Sequence, residues 1–122
     1  MKLRVEAANC YSYPDVIVTR SSVDAADPLI KHEPVLVVEV LLPSTAAYDR
    51  GDRFAAYRLL PSLREMLLVD PDSRRCDIYR QVADGLWVLH PFEPRQAVRL
   101  QSVGLDLGAE ALWDEVEPTT AG

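Results

Sequence analysis

Long apolar runs are missing from this sequence. None approaches the roughly 20 residues that cross a bilayer as a helix, which argues against a helical membrane protein. The opening MKLRVEAANC has no charged segment followed by a long apolar stretch, so it does not read as a secretory signal, and the chain reads as cytoplasmic. Metal-binding patterns are missing too. Cys10 and Cys76 form no CxxC pair, and His32 and His90 stand far apart, which leaves a structural zinc site without support. The two cysteines read as buried small hydrophobes rather than a disulfide. There is no internal repeat and no low-complexity tract.

Positive charge is also short. Against 19 acidic residues there are 13 Lys and Arg, a net charge of −6. Non-specific nucleic-acid binders neutralise phosphates with clustered Lys and Arg, so a long DNA footprint by this chain alone is disfavoured. A compact site is not, because bound divalent cations and a local arginine can reverse the field there.

What remains is an ordinary globular composition, 48% hydrophobic and 26% charged over 122 residues. That length fits one core, so a single domain is expected over 1–115 with a tail at 116–122. Strands are predicted at 2–6, 13–19, 35–42, 64–69, 75–81, 86–90 and 97–102. The run VLVVEVLL at 35–42 is the most apolar and suggests a central strand buried on both faces. Pro71-Asp72 and Asp84-Gly85 supply turns, making 64–90 an antiparallel meander. The Asp-, Ser- and Pro-rich segment 21–34 reads as a loop. One helix is signalled after Pro43, with Ser44, Thr45 or Asp49 as caps and Pro61 as the stop, and a short one is predicted at 108–115. Strands, one helix and more strands make an α+β fold around a mixed or antiparallel sheet.

Glu39 is the residue that does not belong. Side chains alternate along a strand, so it shares a face with Val35, Val37 and Leu41, where an unpaired carboxylate protonates or finds a cation. The bland reading is a salt bridge or a wet edge position. The functional reading is a metal ligand or general base, and it needs a second carboxylate. Asp15, which interrupts the strand-like YPDVIVT, is the candidate; its bland reading is a turn residue. Two such carboxylates can hold Mg²⁺. Asp49, Arg53 and Tyr57, spaced four apart, share one face of the predicted helix and are either a solvated Asp–Arg face or a cation leaning over the carboxylates. Gly51 within this stretch costs about 1 kcal/mol if helical, so the helix begins after it or close approach is wanted there.

The strings YPDVIVT, VLVVEVLLPSTAAYDRGDRFAAYR and LPSLREMLLVDPDSRRCDIYR together resemble the Uma-type family of proposed prokaryotic restriction endonucleases, within the PD-(D/E)xK nuclease superfamily. The resemblance covers nearly the whole chain and matches the family's C-terminal part. It implies a restriction-endonuclease-like mixed sheet flanked by helices, with Asp15 as the acidic residue of the PD motif and Glu39 as that of the second motif. Leu41 stands where related nucleases often have lysine; the resemblance moves that role to the following helix, at Arg53, with Asp49 and Tyr57 supporting. Arg53 departs from the family's usual lysine and, staying protonated, cannot act as a base. Leu42 replaces a usual serine. The family's preceding helix and strands are absent, so the chain reads as a shortened copy.

These readings imply a Mg²⁺-dependent endonuclease-like domain acting on DNA phosphodiesters, with Asp15 and Glu39 as metal ligands and Arg53 on phosphate. The alternative is a non-catalytic relic of the fold that serves as an interaction or oligomerisation module. Three geometric expectations go with them. Asp15 and Glu39 should point to the same side of adjacent strands. Arg53 should lie near Glu39. The first strand, KLRVE, should be an exposed edge through which a homodimer forms.

Overall fold

The computed structural model describes residues 2–110. Its centre is a five-stranded mixed sheet ordered β3-β5-β6-β7-β8, formed by β3 (Val16–Thr19), β5 (Pro34–Val40), β6 (Glu65–Asp70), β7 (Arg75–Ala83) and β8 (Leu86–Phe92). All neighbours run antiparallel except β5 and β6, which are parallel in the register Glu39↔Leu68. A parallel pair needs a crossover. Here the crossover is one helical segment: α2 (Ala46–Tyr48), a π-helical turn over Asp49–Arg53, and α3 (Phe54–Tyr57).

The predicted helix is therefore present but interrupted. Thr45 takes the N-cap position without a side-chain cap bond, and the wide π turn falls on the stretch that holds Gly51. After Pro61, Leu63 returns to the core at 0% exposure. The meander forms as predicted; its Asp84-Gly85 turn places Gly85 at φ 73°, a conformation glycine reaches without strain.

The central strand is covered on both faces, as its run of aliphatic residues on either side of Glu39 requires. On one face Val37, Leu41, Met66 and Leu68 pack with Tyr57, Leu60 and Leu63 of the crossover and with Leu3 and Val5. Phe54 also lies on this side, stacked at 4.0 Å on Tyr79 and edge-on to Trp87. On the other face Leu36, Leu67, Cys76 and Ile78 pack under Val98 and Leu100. These last two come from β9 (Val98–Leu100), paired with β10 (Leu105–Leu107). Cys10 and Cys76 form no disulfide, and burial pushes the Cys76 thiol up to about 11.

Two expectations are corrected. The first strand is not an edge. β1 (Lys2–Val5) is the middle of a second sheet, antiparallel to β2 (Cys10–Ser12) and parallel to β4 (Ile30–Lys31). Its apolar residues, Leu3 and Val5, are already buried against the large sheet, so the argument that made it a dimer surface loses its basis. Nor is 21–34 a plain loop. It holds α1 (Ser22–Ala26), capped by Ser21, and a fully buried Asp24 that accepts hydrogen bonds from Thr19 Oγ1 and the His32 and Glu33 N–H groups. The predicted helix at 108–115 extends beyond the described residues, and the tail at 116–122 lies outside them.

A second buried acid, Glu65, ties β9–β10 to the sheet. At 1% exposure its carboxylate accepts from Arg80 Nε at 2.8 Å and from the Gln101 and Ser102 N–H groups. Burial pushes this carboxyl up, but the Ser102 and Arg80 bonds outweigh it and hold it below its ordinary 4.5. A depressed carboxyl stabilises the fold above its unfolded value and loses that contribution as pH falls through the folded one. Glu65→Ala is expected to cost about 3 kcal/mol in urea unfolding at pH 7, since it removes the shared acceptor of the half-buried Arg80 and of two backbone N–H groups. Glu65→Gln is expected to flatten the loss of stability below about pH 4.5; an unaltered acid limb would show that Glu65 does not govern it.

Candidate functional site

Glu39 lies near the C-terminal end of β5, on the face crossed by the helical segment, and is 2% exposed. Strand alternation aims it into that face together with Val37 and Leu41. The helix answers it with two donors one turn apart. Tyr57 Oη donates to Glu39 Oε1 at 2.7 Å, and Arg53 Nη1 donates to Glu39 Oε2 at 3.0 Å. Arg53 also serves Asp49, whose Oδ1 is 3.3 Å from Arg53 Nε, and its guanidinium lies 5.2 Å from the centre of the Tyr48 ring. Asp49 is buried at 3%, and Thr45 Oγ1 donates to its Oδ2 at 3.5 Å. The Arg53–Asp49 approach is an ion pair without hydrogen-bond geometry, so the buried Asp49 Oδ1 has no hydrogen-bond partner.

The electrostatics follow from burial. Loss of solvent pushes the Glu39 carboxyl above its ordinary value; Tyr57 and Arg53 pull it back in part, and the Asp49 charge pushes it further up. Burial opposes the charge on Arg53, but the neighbouring Glu39 outweighs it and raises the guanidinium. Burial, with Glu39 adding to it, lifts the Tyr57 phenol far above its usual range, so Tyr57 stays a protonated donor.

Of the residues singled out in the sequence, the structure brings Glu39, Asp49, Arg53 and Tyr57 into one contact network. Asp15 joins it from the neighbouring strand through the backbone. β3 pairs with β5 in the register Val16↔Val38, and the exposed Asp15, just before β3, accepts from the Val40 N–H at 2.7 Å through Oδ2. Its carboxylate thus caps the residue next to Glu39. Among the described residues no three His, Cys, Asp or Glu side chains form a metal-holding group.

Sequence reasoning misses three members of this neighbourhood. Thr45 reads only as a cap, and Tyr48 gives no signal. Ser12, whose Oγ is 2.6 Å from Tyr57 Oη, lies on a strand that the sequence does not announce.

Residues 1–112 match the model of the Uma2 family, described as putative restriction endonuclease. The chain belongs to that family. It is similar to two uncharacterised proteins of Synechocystis. It is 35% identical to slr1290 over 113 residues, which are 93% of this chain and 60% of that protein. It is 35% identical to sll1609 over 91 residues, which are 73% of this chain and 51% of that protein. The Uma2 chain therefore spans little more than half the length of these relatives. Its fold matches the crystal structure of a putative nuclease belonging to DUF820 from Anabaena variabilis, with a TM-score of 0.71 and 17% identity over 95% of this chain and 66% of that one. The restriction-endonuclease-like α+β fold is thus established. Among the described residues no helix is long and apolar enough to cross a membrane.

Removing the cation tests the site's electrostatics. Arg53→Met leaves Glu39 and Asp49 buried without a positive partner and is expected to cost about 3–5 kcal/mol at pH 7. A carboxyl raised above its unfolded value destabilises progressively as pH rises through the window between the two values. The Arg53→Met deficit should therefore grow as pH rises above the ordinary carboxyl value of 4.5 in urea titrations. A deficit independent of pH would mean that Arg53 contributes packing rather than charge.

Proposed function

We propose that this Uma2 chain is a divalent-cation-dependent phosphodiesterase domain of the nuclease type, acting on DNA, with Glu39 at the centre of its site. The observation that carries this reading is Glu39 itself: a carboxylate buried on the central strand, raised by its surroundings, and bonded to a guanidinium that it shares with a second buried carboxylate, Asp49. Shifted pKa values with a specific charge partner cluster at functional sites.

The residues suit a small hard cation. Glu39 and Asp49 offer carboxylate oxygens around one guanidinium, and Asp49 Oδ1 is buried with no hydrogen-bond partner. Mg²⁺ needs only one or two carboxylates from the protein, with water and substrate phosphate completing its shell. Glu39 would hold it, with Asp15 or Asp49 as the second carboxylate. A bound Mg²⁺ supplies activation of water and neutralises charge on the scissile phosphate. Arg53 is the natural phosphate partner, since its planar donors suit phosphate and its lasting charge rules it out as a base. Tyr57 holds Glu39, and the buried helix face keeps bulk water from the carboxylate.

The second reading is a non-catalytic relic. Arg53 already balances Glu39 and Asp49 within the fold, and a net charge of −6 repels nucleic acid. Cleavage of labelled single- and double-stranded DNA with Mg²⁺ or Mn²⁺ decides between the two. The enzyme reading expects metal-dependent cleavage that Glu39→Gln lowers on the order of 100-fold or more. Asp15→Asn should lower it as well. A folded wild-type chain that neither binds Mn²⁺ nor cuts DNA would leave the relic.

A further inference from the structure

Ser12 lies on β2, opposite Leu3 of β1, far in sequence from Glu39, Asp49, Arg53 and Tyr57. Its hydroxyl nevertheless sits 2.6 Å from that of Tyr57, a side chain with 0% exposure. Tyr57 has one proton, and it donates that proton to Glu39 Oε1 at 2.7 Å. A carboxylate paired with Arg53 accepts and does not donate, so the remaining lone pair of Tyr57 is left to accept. The hydrogen bonds therefore run one way: Ser12 O–H donates to Tyr57, and Tyr57 O–H donates to Glu39.

We propose that Ser12 is a positioning residue for the Glu39 carboxylate, acting through Tyr57. The inference rests on the divalent-cation reading of the site. A phenolic O–H can rotate about its C–O bond even when its ring is packed. A donor on its lone pair leaves the proton one favourable direction, toward Glu39. Donation into Tyr57 also polarises its O–H and strengthens the next bond in the chain. With Tyr57 holding Oε1 and Arg53 holding Oε2, the plane of the carboxylate is set, and so are the directions in which its free lone pairs face a cation. The small β2-β1-β4 sheet thereby takes part in the site as well as covering the core.

Mn²⁺ serves as the probe, with its affinity measured by calorimetry or by the spin-resonance signal of the free ion. Ser12→Ala is expected to weaken Mn²⁺ binding about two- to tenfold, the range for loss of one hydrogen bond. Ser12→Thr, which keeps the hydroxyl, should restore it. Because Ser12 acts through Tyr57, Ser12→Ala should add nothing in a Tyr57→Phe background. A shifted unfolding midpoint with unchanged Mn²⁺ affinity would make Ser12 a structural residue and overturn the inference alone. So would a Ser12→Ala effect that persists undiminished in Tyr57→Phe. If the wild type does not bind Mn²⁺, or if binding survives Glu39→Ala, the cation reading fails and this inference fails with it.

Discussion

A charge that the fold has removed from water organises this end of the molecule. Glu39 sits in the middle of an aliphatic strand, where an isolated carboxylate would cost several kcal/mol. Its needs explain features that otherwise have no common cause. The crossover between β5 and β6 must pass over Glu39, must bring a cation to one oxygen and a neutral donor to the other, and must still close a parallel pair. Arg53 and Tyr57, one helical turn apart, meet all three conditions. Phe54 between them takes the apolar duty against Tyr79 and Trp87.

The interruption of that helix belongs to the same constraint. A regular turn holds side chains to a fixed angular step, whereas a wide π turn changes the facing of the residues C-terminal to it; such turns are frequent at functional sites. Here the turn spans Asp49–Arg53, so the two charged residues that meet at Glu39's edge bound the irregular stretch. Arg50, within it, reaches across to Asp77 on β7 and ties the segment to the sheet. On the far side of Tyr57, β2 supplies Ser12. The site is thus built by a central strand, a distorted crossover and a strand of the small sheet.

Much of this is legible in the sequence, for reasons that are local. The run at 35–42, apolar except for Glu39, identifies the central strand, and period-two alternation is enough to turn Glu39 inward. Fourfold spacing predicts that Asp49, Arg53 and Tyr57 share one face, and their contacts around Glu39 and Arg53 agree although the helix between them is not regular. The features that could not be read depend on pairing across distance. The sequence CYS at 10–12 carries no strand signal; it becomes a strand because β1 pairs with it, and only that pairing brings Ser12 to Tyr57. Asp24, in a segment that reads as loop, gives no hint that it is buried by two backbone N–H groups and Thr19. The edge assignment of β1 fails for the same reason: β4, two residues long, covers one side of it and β2 the other.

Glu65 shows what separates a structural buried acid from a candidate functional one. It opens an apolar strand, on the same face as Leu67 and Val69, and the logic that finds Glu39 would find it too. The two lie on neighbouring strands but on opposite faces, Glu65 beside Leu36 and Glu39 beside Leu68. Glu65 accepts from one guanidinium and two backbone amides, a set of donors that holds it below its ordinary value and that comes with the turn it anchors. Glu39 has a guanidinium shared with a second acid and a phenol that itself needs a partner, and it is left above its ordinary value. Backbone amides are fixed by the fold, whereas a shared side chain can be redistributed when a cation or a phosphate arrives. One carboxylate is completed by donors fixed in the fold, and the other depends on side chains that it shares. That difference, visible only in the partners, is the physical reason to look for chemistry at Glu39 and not at Glu65.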